Sequence, residues 1–460
     1  MTGSNLRSRH LAAALLIAAG SSQGAWAQTA APSAGQEADP SAAESVATAV
    51  SRTTESFIAL RAGTEYSDNV RRVPSNGSSD TLARLGLAMD FERIGERLSL
   101  TGRANVDYLE YLDNTYDGTA RGYLDAGADW GTQRNLLQWT LRDTFGQSLN
   151  NSTGTDTPDN LENVNFITTG PTLNLHFGLV TRLSLFGLYS KTMYENANLD
   201  SDRTTGGIEL ARELSKRSTV SIEASQDNNR FDDFGSARDF DTRRAYVRWA
   251  AEGFRTTLDV SAGYTELEQK NGGDKSSGPL YEVSIERRLA SSSAIFLNAR
   301  EEFSTASDLL RVQATTGSPT GSVDPLTTAD PFRNRTARLG WRFDRPRMHL
   351  QFAGAWGQER YEQTISLDRT IKALEASVDR RITSTVGINV SARYERQKFD
   401  NVAASYNQTT LLADITKDLG RRLGLSLTLG RYDRSGSDLF SDFTENRIGL
   451  ELRYTLYGTR

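Results

Sequence analysis

The fold of this chain is decided by a stretch near its C-terminal end, residues 386–395, which reads VGINVSARYE. Every second residue in it, from Val386 to Tyr394, is apolar or aromatic, and the residues between them are polar or small. Successive side chains of a strand point to opposite faces, so the stretch predicts a β-strand with one apolar and one hydrophilic face. The same alternation recurs in segments of about ten residues separated by turn residues, which is the pattern of a transmembrane β-barrel.

The alternation runs from about residue 55 to the C-terminal end and predicts one all-β, antiparallel barrel of about 20 strands, within a range of about 18 to 20. Short links are expected at 94–97, 131–135, 215–217, 345–347 and 420–422, and long ones at 67–79, 148–162, 269–277 and 304–332. Barrels of this class have short periplasmic turns and longer extracellular loops. We therefore expect both termini to lie in the periplasm.

Composition agrees with a barrel wall and gives no sign of a nucleic-acid partner. The 460 residues are 37% hydrophobic, with a mean hydropathy of −0.51, and only alternate residues of a barrel strand need to be apolar. The net charge is −5, from 53 basic and 58 acidic residues. Such a balance provides no basic footprint for nucleic acid.

The N-terminal residues read as a secretory signal peptide over 1–27. Arg7 and Arg9 form a basic start, residues 11–20 an apolar core, and Ala25-Trp26-Ala27 a small-residue cleavage site. A flexible periplasmic segment is expected over 28–54, followed by the barrel over 55–460. A signal peptide combined with a barrel pattern predicts the outer membrane of a Gram-negative bacterium.

The sequence offers little that could support catalysis or hold a cofactor. There are no cysteines, which excludes disulfides, thiolate metal sites and cysteine nucleophiles. Beyond the signal peptide only His176 and His349 remain, without a Gly-x-Ser-x-Gly elbow or a metal-ligand spacing. We expect a protein that is not an enzyme and that has no cofactor and no metal site.

The hydrophilic faces of the predicted strands are rich in both charge signs and define the residues expected to line a lumen. One interpretation is a lattice of cross-strand ion pairs that stiffens the wall; the other is a lining that selects what passes. Inward aromatic residues, namely Tyr123, Tyr246, Phe296 and Tyr432, could also stack against sugar rings. The predicted lining residues are Arg84, Arg103, Asp107, Arg121, Tyr123, Arg142, Tyr246, Arg248, Asp259, Glu282, Arg338, Arg342, Arg393 and Glu395.

Two further expectations concern the ends of the barrel. Aromatic residues near strand ends predict a girdle at the membrane–water boundary. The sequence shows no separate plug domain, so we expect a wide lumen to be narrowed by the N-terminal segment or by a loop folded inward. Residues 304–332 are the best loop candidate by length. The girdle residues are Tyr66, Tyr108, Tyr111, Trp130, Tyr194, Trp249, Tyr264, Trp341, Tyr361, Tyr394 and Tyr454.

Short motifs carry a resemblance to a known family. Residues 63–70 read GTEYSDNV, 157–160 read TPDN, 163–166 read NVNF and 169–171 read TGP. In this order they resemble the β-barrel porin 2 family, which includes EpsL-like proteins of exopolysaccharide operons. The resemblance implies an outer-membrane protein linked to exopolysaccharide export, with no catalytic residues to assign.

The expected partners follow from this reading. A barrel contacts outer-membrane lipid and lipopolysaccharide, and residues 447–454 resemble the C-terminal signal that the barrel-assembly machinery recognises during insertion. Exopolysaccharide and periplasmic export proteins are the partners that an export conduit would need. Two alternatives stay open: a general diffusion porin for small solutes, and a closed structural or adhesive barrel whose loops bind surface glycans.

Overall fold

The structure is a computed structural model that describes residues 56–132, 136–233, 237–272, 275–316, 325–437 and 442–458. The predicted signal peptide and the whole of the predicted N-terminal segment, residues 28–54, lie outside the described residues. So does the C-terminal dipeptide 459–460.

The described chain forms a single sheet of twenty strands, which confirms the predicted all-β antiparallel barrel at the upper end of its range. Each strand pairs with its neighbours in sequence. The strands are β1 (Phe57–Ser67), β2 (Asp80–Arg93), β3 (Leu98–Tyr111), β4 (Thr119–Gly131), β5 (Leu137–Leu149), β6 (Leu161–Phe177), β7 (Thr181–Tyr194), β8 (Ser201–Ser215), β9 (Ser218–Phe231), β10 (Phe240–Glu252), β11 (Thr256–Gln269), β12 (Lys275–Ala290), β13 (Ser293–Ser304), β14 (Phe332–Arg345), β15 (Met348–Tyr361), β16 (Arg369–Arg381), β17 (Val386–Phe399), β18 (Ala404–Asp418), β19 (Leu423–Gly436) and β20 (Phe443–Tyr457).

The sheet closes because the last strand pairs antiparallel with the first. The β1–β20 register runs from Ser67 opposite Arg447 to Ile58 opposite Tyr457, with one irregularity between Ile58 and Ala59. Closure removes the unpaired edges that an open sheet would expose. An even number of antiparallel strands also brings the start of β1 and the end of β20 to the same end of the barrel, which we call the turn end; the opposite end is the loop end.

Link lengths differ between the two ends, largely as the turn residues indicate. At the turn end, links such as 216–217 and 346–347 contain two residues, whereas the loop end carries 68–79, 150–160 and 305–331. The link expected over 269–277 is shorter than predicted, because Lys275 already pairs with Glu268 in the β11–β12 ladder. Short 3-10 turns lie at Pro158–Asn160 and Ile365–Leu367, and one helix, α1 (Ala306–Thr316), lies in the longest link.

The two faces of the sheet differ as the alternation predicts. Leu85, Leu339 and Leu374 on the outer face are each at least 60% exposed. Their sequence neighbours on the inner face are polar, small or charged. An exposed apolar belt of this extent requires an apolar surrounding. No helix among the described residues is long and apolar enough to cross a membrane.

The aromatic girdle is present but smaller than the sequence suggested. Outer-face residues such as Tyr66, Trp130 and Tyr454 are exposed, as a membrane boundary requires. The assignment of Tyr111, Tyr194 and Tyr361 to the girdle is wrong, since all three lie on the inner face and are at most 8% exposed.

These tyrosines belong to small apolar clusters beneath the loops. One contains Val70, Leu82 and Tyr111; another contains Leu326, Phe332 and Tyr361. The clusters therefore pack the loop end against the inner wall, while the apolar surface of the middle of the barrel faces outward.

Candidate functional site: the barrel lumen

The strand register places every predicted lining residue on the inner face, the face opposite the apolar belt. Arg84 illustrates how the register assigns a residue to the inner face. It stands opposite Gly63 of β1 and Leu109 of β3, whereas its neighbour Leu85 points outward and is 64% exposed. Residues at matching positions around the barrel share that inner face.

The first group of charges joins β1, β2 and β3. Arg84 contacts the carboxylates of Glu65 and Asp107 at 2.8 and 2.7 Å, and Arg61 contacts Asp107 at 2.7 Å. All four side chains are at most one quarter exposed. Each guanidinium–carboxylate contact connects side chains of different strands, so the group fixes three strands together.

A second group lies on β9 to β12. The guanidinium of Arg248 makes a two-atom contact with the carboxylate of Asp259 across the β10–β11 ladder. The hydroxyl of Tyr246 donates to Glu223 at 2.6 Å. Glu282 of β12 lies beside this group, opposite Ser261 of β11 and Arg300 of β13.

A third group lies on β12 to β17. Arg342 contacts Glu286 at 2.5 Å, and Arg338 contacts Glu375 at 3.0 Å. Arg393 also contacts Glu375 and reaches Glu395 at 2.6 Å. Glu375 thus receives two guanidinium groups from strands on either side of it.

The remaining predicted lining residues lie on β3, β4 and β5. Arg103 stands opposite Asp90 and Asp125 in the register, and Arg121 stands opposite Asp107. Arg142 lies 3.8 Å from Asp129. The half-buried Tyr123 stands opposite Asn105.

The inward aromatic rings are less open than a sugar-stacking surface requires. Phe296 and Tyr246 are 7% and 8% exposed. The ring of Phe296 is covered by the guanidinium of Arg338 at 5.1 Å, and Tyr432 lies between those of Arg72 and Arg447 at 4.9 and 5.2 Å. These contacts are cation–π interactions, so the rings of Phe296 and Tyr432 are already partly covered by the protein's own cations.

The described residues of the link between β13 and β14, 305–316 and 325–331, leave the wall after β13 and lie inside the barrel. Helix α1 packs on the inner faces of β4 and β5. Its Leu310 is 1% exposed and lies in a cluster with Val164, Phe166 and Tyr194. A Cβ atom at Gly146 would lie 2.6 Å from Leu310 Cδ1, so the helix approaches the wall closely only because this inner-face position has no side chain.

The helix is held in place by charge as well as by apolar packing. Arg203 of β8 donates to both oxygens of Asp308, at 2.7 and 3.3 Å, and to Thr305 Oγ1 at 2.9 Å. The N–H of Thr305 donates to Asp308 at 2.8 Å, which caps the helix start. Burial alone would raise the pKa of Asp308, but the guanidinium groups of Arg203 and Arg311 outweigh it and hold that pKa well below its ordinary value.

The end of the same segment is tied to β5 before it returns to the wall. Leu149 N–H donates to Pro325 O and Thr327 N–H donates to Leu149 O, both at 2.8 Å. Leu326 then packs against Phe332 at the start of β14. The segment therefore runs from β13 to β5 and back to β14. Because β5 and β13 are eight strands apart in a barrel of twenty, this path crosses the lumen.

A second contact network also reaches over the loop end. Arg72 of link 68–79 contacts Glu445 of β20 at 2.8 Å and also contacts Asp156 of link 150–160. Arg434 of β19 lies 3.7 Å from Asp156 and donates to Gly154 O at 3.2 Å. We call Arg72, Asp156, Arg434 and Glu445 the loop latch. It ties link 150–160, which follows β5, to strands on the other side of β1.

The electrostatics of the loop latch favour its charged form. Burial alone would raise the pKa of Asp156, but the adjacent guanidinium groups of Arg72 and Arg434 outweigh burial and hold that pKa well below its ordinary value. Glu445 is fully buried and Arg72 is 4% exposed. A buried carboxylate of this kind depends on its guanidinium partner.

Other chemistry is not assembled in the described part of the chain. No group of three or more His, Asp or Glu residues within it has an arrangement that could hold a metal ion. His349 Nδ1 lies 2.8 Å from Asp344 Oδ1 on the inner wall near the turn end, where it acts as one more cross-strand contact.

A closed antiparallel barrel with an exposed apolar belt outside and a hydrophilic wall inside defines a class of protein. This chain is an outer-membrane β-barrel protein. Residues 305–316 and 325–331, which pack inside the barrel, belong to a link rather than to the wall, and they are therefore distinct from the lining residues that the sequence predicted.

Comparisons with known proteins support no assignment beyond that class. No family model matches the chain, and no curated protein matches it. The resemblance to the β-barrel porin 2 family is therefore not supported by a family match.

Solved structures with a similar shape include three iron-related proteins. They are the siderophore receptor PirA from Acinetobacter baumannii (TM-score 0.48, 9% identity, 88% of this chain and 81% of that chain), the ferric citrate transporter FecA in its unliganded form (0.46, 11%, 88% and 79%) and the FrpB iron transporter from Neisseria meningitidis (0.42, 10%, 87% and 82%). Identities of this size do not transfer a ligand from one protein to another.

Proposed function

We propose that this protein is an outer-membrane channel for hydrophilic cargo, that its lumen is narrowed by residues 305–316 and 325–331, and that its cargo is a secreted exopolysaccharide. The observation that carries the proposal is that residues 305–316 and 325–331 pack inside a barrel whose inner wall is hydrophilic. A barrel of about 16–18 strands already encloses an aqueous channel, so twenty strands without a narrowing would enclose a wider one. Transport, rather than catalysis, is the function that this arrangement supports.

The pairing of charges on the wall supports an uncharged or weakly charged cargo. Each of three arginines on the wall contacts a carboxylate: Arg84 contacts Glu65, Arg248 contacts Asp259 and Arg393 contacts Glu395. Paired charges produce a small net field but leave many hydrogen-bonding atoms along the wall. A polysaccharide chain, which is rich in hydroxyl groups, suits such a lining.

The choice of exopolysaccharide rests on the short motifs at residues 63–70 and 157–171, and the geometry adds limits to it. Since guanidinium groups cover Phe296 and Tyr432 and Tyr246 is buried, recognition of sugars would depend on hydrogen bonds more than on stacking. We further propose that the loop end faces outward from the cell, with both termini in the periplasm, because long links belong on the external side of such barrels.

The test of the cargo is ion current through the purified full chain in a planar bilayer, with the host's own exopolysaccharide or with dextran added. Block of the current by the host polymer, but not by dextran, is the expected result. An ion current that neither polymer blocks would instead support a general diffusion porin. The absence of current in the full chain and in a variant without residues 305–331 would support a closed structural barrel.

A further inference from the structure

A recess in the inner wall at β9 to β13 is separate from the narrowing segment. Its polar lining is formed by Glu223, Arg244, Ser261, Glu282, Arg300 and Glu302. The free volume of the recess is about 20 Å³. One water-sized group needs about 10–15 Å³, so the recess can take an ammonium or hydroxyl group but not a whole sugar ring.

Two side chains in the recess have no partner within the described part of the chain. Ser261 is 2% exposed, and its hydroxyl makes no hydrogen bond to any described residue. No hydrogen bond or close ion pair joins the carboxylate of Glu282 to a described residue, although the charges of Arg300 and Arg248 act on it at longer range. Unpaired polar groups that are largely removed from water are costly. The recess therefore presents one carboxylate and one hydroxyl that a ligand could satisfy.

The other members of the lining already have partners. Glu223 accepts the hydroxyl of Tyr246 at 2.6 Å, and Arg244 donates to Asp227 at 2.6 Å. Arg300 forms an ion pair with Glu302. Glu282 is thus the charged side chain that remains available.

The charge balance of the recess favours a cation. Its lining contains three carboxylates, Glu223, Glu282 and Glu302, against the two guanidinium groups of Arg244 and Arg300. The nearby Arg248 acts on Glu282 as well, but its guanidinium is already engaged in the two-atom contact with Asp259. One negative charge is left over, and a charge-assisted hydrogen bond from a ligand cation would compensate for it.

We propose that this recess binds the protonated amino group of a hydrophilic solute. The ammonium group donates to the carboxylate of Glu282 and to the hydroxyl of Ser261, while the rest of the solute stays in the lumen. Amino sugars and polyamines both carry such a group. The inference rests on the proposed channel function only in assigning the cargo, because the recess itself exists whether or not the barrel conducts.

The test is calorimetric titration of the full chain in detergent, at neutral pH, with three probes: a glucosamine tetramer, an N-acetylglucosamine tetramer and spermidine. We expect binding of one or both amines and none of the N-acetylated sugar. Binding of the glucosamine tetramer without spermidine would identify an amino sugar as the source, and the reverse would identify a polyamine. Equal binding of the N-acetylated tetramer, or no binding of either amine, would overturn the proposal.

Glu282→Gln is the decisive variant, since it keeps the side-chain shape and removes no internal hydrogen bond. Loss of one charge-assisted contact should weaken amine binding by about tenfold or more. Asp414→Asn is the matched control, because Asp414 is an inner-face acid of β18 that accepts the hydroxyl of Thr428 at 2.7 Å, away from the recess. Equal weakening in both variants would contradict the assignment to Glu282.

Ion current measured on the same protein separates the two proposals. Amine binding without current would contradict the channel function but leave the recess intact. Current without amine binding would contradict the recess and leave the channel function intact.

Discussion

Single guanidinium groups with more than one carboxylate partner are the units from which the inner wall is built. Arg84 contacts Glu65 and Asp107, and Arg72 contacts Asp156 and Glu445. A buried charge that loses its partner costs more than the pair contributed. Replacing one charged residue of a buried ion pair should therefore destabilise the protein more than replacing both residues.

The loop latch allows this expectation to be tested. Arg72→Gln removes one of the two guanidinium partners of the fully buried carboxylate of Glu445, which keeps its contact with Arg447 at 2.7 Å, and it also removes one partner of Asp156. We expect the free energy of unfolding to fall by roughly 3 kcal/mol, measured by urea titration of the protein in detergent. The double variant Arg72→Gln with Glu445→Gln removes the buried charge that lost this partner, and Arg447 keeps its contact with Glu65 at 3.1 Å, so part of the loss should be recovered. A double variant less stable than the single one would contradict this account.

Gly146 is a second residue whose replacement should have a clear effect, because helix α1 packs directly against it. A Cβ atom there would lie 2.6 Å from Leu310 Cδ1, so Gly146→Val should push helix α1 from the wall. Overpacking of this kind costs about 1–3 kcal/mol, which corresponds to roughly a tenfold to hundredfold larger undocked population. Faster tryptic cleavage after Arg311 is the readout.

Gly187→Val is the control for that variant, because a Cβ atom at this outer-face position would meet nothing within 4 Å. It introduces the same residue into a strand without touching the helix. If both variants were cleaved at the same rate as the unmodified protein, the close packing of Leu310 on Gly146 would not be what holds the helix.

Among the elements, the links at the loop end should have a stability that depends on pH, because Asp156 must be charged to keep its ion pairs. Its pKa is lowered in the folded protein, so the stabilisation from its ion pairs is fully present above the ordinary pKa of about 3.9. It is lost as the pH falls through the lowered value. Hydrogen exchange of the amides in link 150–160, corrected for the intrinsic rate, should stay slow from neutral pH to about pH 5. Asp156→Asn should exchange faster at neutral pH, and an unchanged rate would contradict the role of the latch.

The strands and turns were predictable because their determinants are local. Residues 386–395 alternate apolar and polar over nearly the whole of β17, and link 94–97 separates β2 from β3 where the sequence indicates. Tyr111, Tyr194 and Tyr361 were misassigned because they sit near strand ends, where the sequence does not show whether an aromatic residue meets lipid or a loop folded inward.

Helix α1 was missed although a local signal was present. Thr305 and Asp308 have the spacing of a capping box, and the structure forms its reciprocal contacts. What the sequence could not show is where the helix docks. Its partners Phe166, Arg203 and Gly146 lie more than one hundred residues earlier in the chain, and only barrel closure brings them together.

For the whole molecule, closure and narrowing are separate properties. Closure comes from the continuous ladder through β20 and β1. The proposed narrowing comes from the link between β13 and β14, whose flanking residues Ser304 and Phe332 pair with each other. A two-residue Asn-Gly turn is a favoured hairpin connection, so it can replace the whole segment without disturbing the ladder.

Single-channel conductance of the full chain and of the variant in which Asn-Gly replaces residues 305–331 is the most direct test of a narrowed outer-membrane channel. We predict a small or intermittent current for the full chain and a larger, steady current for the variant, with both proteins showing the same β-sheet content by circular dichroism. Equal currents in the two proteins would contradict the narrowing, and a folded variant that passes no current would contradict the channel itself.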